Sequence, residues 1–171
     1  MIINFKKTEQ AKRIETSYAM NAIDGASFTP IRKTSGAIGY DCFACIDQEL
    51  AIFPGDVVKI GTGICLDMAS SDTYIDLQID VGDVSFGGFL FPRSSLAGLS
   101  LTNSVGVIDP DYQGEIIGKF FNYSEDVVYV KPLDRLLQLL FIPTYLPSLC
   151  EVDEFEKETE RGSGGFGSSG K

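Results

Sequence analysis

The chain has 171 residues, with 14 Lys and Arg against 24 Asp and Glu and a formal net charge of −10. That balance argues against a long phosphate backbone as partner, because such binding runs on clustered positive charge. Histidine is absent, which excludes Ser-His and Cys-His nucleophile pairs and zinc sites of the mixed Cys/His type.

Hydrophobic residues make up 44% of the chain, enough for a core, and the length suits a single domain over residues 1–171. No apolar run approaches the ~18 residues of a membrane span. Met1-Ile2-Ile3-Asn4-Phe5-Lys6-Lys7 lacks the charge order of a signal peptide. A soluble intracellular protein is therefore expected, in cytoplasm or nucleus, with no membrane and no direct nucleic-acid partner.

Residues 1–22 are polar and mixed in charge and read as an extension without a predicted element. Cys42 and Cys45 form a C-x-x-C with no second pair to complete a zinc site. Their neighbours read as a strand, where positions three apart point to opposite faces. Buried, reduced thiols are expected for these two, for Cys65 and for Cys150. From Ile23 onward short apolar segments are broken by Gly, Pro, Asn and Asp, with 18 glycines and seven prolines in all. That spacing suits an all-β barrel or sandwich. Val57–Ile60, Tyr74–Ile79 and Val127–Val130 are rich in β-branched and aromatic residues and read as strands. Ser94–Ser100 reads as one short helix. Leu133–Ile142, bracketed by Pro132 and Pro143, reads as a buried strand. Cys150–Glu160 is acidic with isolated apolar residues and reads as a solvated peptide able to lie along a neighbour. The final Gly/Ser-rich stretch cannot hold a fixed shape unaided and reads as a mobile arm.

Three stretches carry polar chemistry. In Phe91–Ala97, Arg93, Ser94 and Ser95 stand at a strand end, equally suited to helix capping and to cradling an anion. In Asn103–Glu115, Val107-Ile108 leads into Asp109 and an Asp-Pro-Asp turn. This reads as a hairpin with a carboxylate near its tip, or as a plain β-turn. In the tail, Gly165 and Gly170-Lys171 mimic a P-loop, but no Ser/Thr or helix follows within the chain. Its amides and hydroxyls still suit phosphate oxygens, Arg161 adds a bidentate charge, and Phe166 offers a ring for stacking. The plain alternative is a linker.

Taken together these residues resemble the trimeric deoxyuridine triphosphatases (dUTPases). Five ordered motifs have counterparts: Gly36–Asp41, Pro92–Ala97, Gly106–Gly114, Asp134–Leu139 and Arg161–Gly170. The resemblance implies a distorted jelly-roll β-barrel with one short helix and a C-terminal arm (about 150–171), assembled as a homotrimer whose active sites are shared between subunits. It implies hydrolysis of dUTP to dUMP and pyrophosphate with Mg²⁺, limiting uracil in DNA and supplying dUMP for dTMP synthesis. Asp109 then matches the carboxylate that activates water for in-line attack at the α-phosphorus. Tyr112 would lie under the deoxyribose and exclude a 2′-hydroxyl. Asn103, Val107, Ile108 and Ile117 would read the uracil edge. Arg93, Ser94, Ser95 and Gln138 would hold the inner phosphates. Arg161, Gly167, Ser168 and Ser169 would hold the terminal one, with Phe166 over the base. No direct protein ligand to the metal is expected, and Asp41 would act through its water shell.

Three departures from the family pattern stand out. Ser95 replaces a usual glycine, and Leu137 a frequent alanine. An insertion of about a dozen residues (69–83) precedes the second motif, a length uncommon for an idle loop. A dCTP deaminase shares the Arg-Ser-Ser motif, but Lys119 falls where that family needs a glutamate, and a lysine cannot perform that proton transfer. Two more readings compete, a nucleotide-controlled regulatory binder and a purely structural jelly-roll. Asp109, Tyr112 and the complete tail argue against both as sole roles.

Overall fold

In a computed structural model of the protein, residues 2–21, 25–69 and 84–164 are described. Among them are ten strands and one helix: β1 (Asn4–Lys7), α1 (Glu9–Met20), β2 (Tyr40–Phe43), β3 (Leu50–Ile52), β4 (Val57–Asp67), β5 (Val84–Pro92), β6 (Leu99–Leu101), β7 (Gly106–Ile108), β8 (Glu115–Asn122), β9 (Val128–Val130) and β10 (Arg135–Tyr145). The expected strand at Tyr74–Ile79 and all of the insertion except Ala69 lie outside the described residues.

Two four-stranded sheets run β1-β4-β8-β6 and β2-β10-β5-β7, and a third pairs β3 with β9. β8 shows why the sequence folds this way. Ile116, Gly118, Phe120 and Asn122 turn inward while Ile117, Lys119 and Phe121 face out, the two-residue period of a half-buried strand. Ile52, Ile60, Leu90, Ile116, Phe120, Val130 and Leu139 bring all three sheets into one core. Each such side chain contributes roughly 1.5–3 kcal/mol by leaving water. The expected all-β jelly-roll class holds, although no ladder among the described residues closes the sheets into a continuous cylinder.

The helix stands elsewhere than expected. Residues 94–98 form a turn, with Leu96 N donating to Arg93 O at 3.0 Å and Gly98 at φ +78°, a conformation that ends a helix rather than continuing one. The helix is α1, in the extension read as lacking an element. Thr8 caps it, its side chain accepting from Ala11 N at 3.2 Å. Ala11 and Ile14 form a second core with Phe28 and Cys45. Beside that core Lys7 Nζ meets Glu15 at 2.8 Å, and Glu15 also accepts from Phe28 N at 2.6 Å. Burial alone would raise the Glu15 pKa, but Lys7 and the Phe28 amide outweigh it and hold the carboxyl below its ordinary range. β1 pairs with β4, so the extension is folded onto the barrel.

Three further expectations are refined. The strand read at Leu133–Ile142 runs from Arg135 to Tyr145 and contains Pro143. Its ladder with β2 ends at Leu139, so that flank is open where the proline falls. β7 and β8 do not form the expected hairpin: β7 pairs with β5, and β8 with β4 and β6. The turn between them carries the chain from one sheet to another. Cys42, Cys45 and Cys65 are buried as expected, but Cys150 is exposed. It lies beyond the last strand, where the chain leaves the core. No helix among the described residues is long and apolar enough to cross a membrane.

Candidate active site

Asp41 stands on β2, the edge strand of the second sheet. Its cross-strand partner on β10 is Gln138, which in turn faces Phe91 on β5. Arg93 follows Phe91 by two residues and so keeps to the same face. Arg135 and Gln138 are three apart, which on a regular strand would send them to opposite faces. The register against β2 shifts between Arg135, opposite Phe43, and Leu137, opposite Cys42. This β-bulge inserts Leu136 as an extra residue and returns Arg135 to the side of Gln138.

The result is a cluster around one carboxylate. Asp41 is only 3% exposed. Arg135 Nη1 donates to its Oδ2 at 3.0 Å, and Gln138 Nε2 to its Oδ1 at 3.3 Å. Arg93 Nε lies 3.1 Å from Oδ1 but is buried without an aligned hydrogen bond. Arg93 Nη1 leans on the Arg135 carbonyl at 3.4 Å. A carboxylate this deeply buried requires such partners, since an unpaired charge would be expelled or protonated. Two guanidiniums against one carboxylate leave a positive surplus, suited to an anion. A groove lined by Arg93, Ser95, Tyr129, Asp134 and Arg135 opens beside it, and Ser94 and Ser95 are exposed on the adjoining turn.

A second group of predicted residues sits at the far end of the same sheet. Asp109 is exposed directly after β7, and its carbonyl accepts from Tyr112 N at 3.0 Å to close the turn. Tyr112 Oη donates to Glu115 O at 3.0 Å. Its ring covers Gly114 so closely that a Cβ there would collide with it. Val107 and Ile117 are exposed, Ile108 is buried, and Asn103 is exposed in the loop before β7. Ile108 is opposite Gly88 on β5, five residues before Arg93. At ~3.3 Å per residue this separates the Asp109 end from Arg93 by roughly 17 Å along the strand.

The structure therefore brings Arg93 and Gln138 together with Asp41, and Asp109 with Tyr112, but not the two groups with each other in one chain. Arg161 is exposed, and its Nε donates to Gly164 O at 2.8 Å. Phe166, Gly167, Ser168 and Ser169 lie outside the described residues. Arg135 is not among the expected site residues. Its place in Asp134–Leu139 is the signal the sequence offers, and the regular alternation of a strand would by itself send it away from Gln138. No group of three or more Cys, Asp or Glu positioned to hold a metal ion occurs among the described residues.

A sequence model of the dUTPase family matches residues 27–170. The chain is 42% identical over 150 residues to a deoxyuridine 5'-triphosphate nucleotidohydrolase of Desulfitobacterium hafniense, covering 86% of this chain and 90% of the relative. It is similar in fold to the Staphylococcus bacteriophage 80alpha dUTPase with dUPNHPP (TM-score 0.68, 22% identity, 99% and 98% of the two chains). It also resembles the dUTPase from Streptococcus mutans (TM-score 0.59, 27% identity, 85% and 98%). The match spans both residue groups just described, and the chain belongs to the dUTPase family.

Proposed function

We propose that the protein hydrolyses dUTP to dUMP and pyrophosphate, and that it does so as a homotrimer. The observation that carries this reading is the Arg93–Asp41–Arg135–Gln138 cluster, an anion site with surplus positive charge in a chain of the dUTPase family. In this reading the inner phosphates of the substrate lie on Arg93, Ser94, Ser95 and Gln138. Asp109 orients the attacking water and takes its proton as the water oxygen bonds to the α-phosphorus. The bridging oxygen between the α- and β-phosphorus leaves with pyrophosphate. The exposure of Asp109 leaves room for the water and the sugar. Tyr112, held over Gly114 by its bond to Glu115, provides a flat floor for a deoxyribose, and the backbone near Val107, Ile108 and Ile117 reads the uracil edge. Arg161 and the arm close on the terminal phosphate.

Magnesium enters this scheme as part of the substrate, Mg·dUTP, and supplies charge neutralisation on the triphosphate. The described residues offer no cage of acidic ligands for it. That fits an ion held by phosphate oxygens and water, which Mg²⁺ releases reluctantly. Lower dUTP and a supply of dUMP for dTMP synthesis are the consequences for the cell.

The separation of roughly 17 Å along the strand between the Asp109 end and Arg93 supports sharing of each site between copies, because the two groups of one chain are too far apart to act together at one α-phosphate. The test is pyrophosphate release from dUTP, dCTP, dTTP and UTP. Release from dUTP alone, reduced about 10²–10⁴-fold in Asp109→Asn, is expected from loss of a general base. Ammonia from dCTP, or tight dUTP binding without turnover, would overturn the assignment. Mixing Asp109→Asn with Arg93→Ala tests the sharing. Recovery of activity from two inactive variants is expected, and its absence after verified subunit exchange contradicts a shared site.

A further inference from the structure

We infer, resting on the dUTP reading above, that Leu133 is a positioning residue for the phosphate groove, and that helix α1, through the core it builds, holds Leu133 in the backbone conformation this requires.

Among the described residues other than glycine, Ser104 and Leu133 alone have positive φ, Leu133 at +68°. For a branched side chain this conformation is strained, because Cβ crowds the following carbonyl. The surrounding turn imposes it. Asp134 N donates to Lys131 O at 3.1 Å, closing a four-residue turn with Pro132 and Leu133 at its centre. Proline is locked at negative φ, so positive φ at the third position makes this a type II turn, where glycine is the usual residue. The commoner type I turn would relieve Leu133, and it differs by a flip of the peptide between the two central residues. That peptide carries the Leu133 N–H, which donates to Ala44 O at 3.0 Å, while Ala44 N donates to Asp134 O at 2.8 Å. A flip would turn the Leu133 donor away and loosen the start of β10 from the residue that follows β2.

The Leu133 side chain opposes the flip. It packs against the second core, to which α1 supplies Ala11 and Ile14. Phe43 packs there too, and Phe43 is the cross-strand partner of Arg135. α1 precedes residues 27–170, the stretch matched by the family model, so an element outside that match supports the groove. The turn also joins the two walls of the groove. β9 brings Tyr129 from one side, and Asp134 and Arg135 leave the turn on the other. Residues held in such conformations cluster at functional sites, where the surrounding packing sustains them.

Calorimetric binding of the non-hydrolysable analogue dUpNHpp with Mg²⁺ tests this. Leu133→Ala keeps the strain and loses the packing, so the turn relaxes. The analogue should bind about tenfold more weakly, the scale of the left-handed penalty expressed as a population. Leu133→Gly removes still more of the side chain but accepts positive φ freely, and it should recover most of that loss. Ile14→Ala should weaken the analogue when Leu133 is present and do so much less in combination with Leu133→Gly. Binding of deoxyuridine, which has no phosphate, should be the same throughout. Wild-type affinity in Leu133→Ala, or binding by Leu133→Gly no tighter than by Leu133→Ala, would overturn the inference, because a plain packing role follows the amount of side chain removed. Equal losses from Ile14→Ala in both backgrounds would overturn the part given to α1. If Ile14→Ala fails to fold by circular dichroism, Tyr18→Ala, which packs on the same core, takes its place with the same expectations. A wild type that does not bind dUpNHpp defeats the dUTP reading itself, whereas one that binds it without the Ala–Gly difference defeats this inference alone.

Discussion

Asn122, at the end of β8, is fully buried, and its side chain uses its whole hydrogen-bonding capacity. Nδ2 donates to Ile52 O at 2.8 Å and to Asp126 O at 2.9 Å. Oδ1 accepts from Ser124 N at 3.0 Å and Ser124 Oγ at 2.7 Å. One amide thus ties β8 to β3 and to the turn that leads into β9. Asn122→Asp keeps the volume and replaces the donating group with an oxygen that faces two carbonyls. The Ile52 carbonyl, left without its buried donor, costs about 1–3 kcal/mol, and the Asp126 carbonyl, on an exposed residue and still accepting from Ser124 Oγ at 3.0 Å, costs about 1 kcal/mol. A loss of roughly 3 kcal/mol at neutral pH follows, about a fifth or more of the stability of a typical domain. The introduced carboxyl is disfavoured in its charged form, so its folded pKa lies above the unfolded value of about 4. The penalty is therefore smallest below pH ~4 and grows as pH rises through the folded pKa. Urea unfolding of wild type and variant at pH 7 and near pH 4 measures both points. A difference under about 1 kcal/mol at pH 7 with unchanged slope would refute the argument, as would equal differences at the two pH values.

Native alkylation should modify Cys150 alone. Burial, with the charge of Asp41 adding to it, pushes the Cys42 thiol up to about 12, and burial with Glu115 pushes Cys45 to about 11. Cys65 is also buried. Mass spectrometry showing more than one adduct before unfolding would contradict this. Glu15→Gln should lower stability by about 1 kcal/mol above pH 4.5, with the difference vanishing on acidification through the depressed folded pKa. Thermal melts from pH 7 down to 3 measure it, and a pH-independent difference would count against the Lys7–Glu15 pair. Gly63→Ala should destabilise by about 3 kcal/mol, combining backbone strain with overpacking between β4 and α1. Gly63 sits at φ +73°, with Ala11 Cβ only 2.8 Å from the added carbon. A denaturation midpoint matching wild type would show that α1 yields freely.

What the sequence displays depends on how local the determinant is. The alternation in Glu115–Asn122 and the apolar run after Pro132 announce strands directly, and the Gly/Pro spacing announces the fold class. Helix α1 is faint because its buried stripe is narrow. Only Ala11 and Ile14 are fully covered, and what covers them is Phe28 and Cys45, far along the chain. Ser94–Ser100 reads as helical from its serine start and Leu96, Ala97 and Leu99, but Gly98 at positive φ and the strand beginning at Leu99 override it. The individual residues of the candidate site, Asp109, Tyr112, Arg93 and Gln138, stand in recognisable motifs. Their grouping is not visible there, since Asp41 meets partners 52, 94 and 97 residues further on. The parting of β7 from β8 is equally hidden, because it is decided by which strands compete for their edges.

The bulge at Leu136 lets β10 carry one residue more than regular pleating allows and still present Arg135 beside Gln138. Exchanging Leu136, 5% exposed, for another aliphatic residue is a matter of packing volume. Deleting it would leave Arg135 and Gln138 two residues apart, a spacing that keeps both on one face of a regular strand. At the present chain length the arrangement instead hangs on the irregular pairing: drawing Leu136 into the ladder with β2 would turn Arg135 to the opposite face, away from Asp41, with every side chain of the candidate site unchanged.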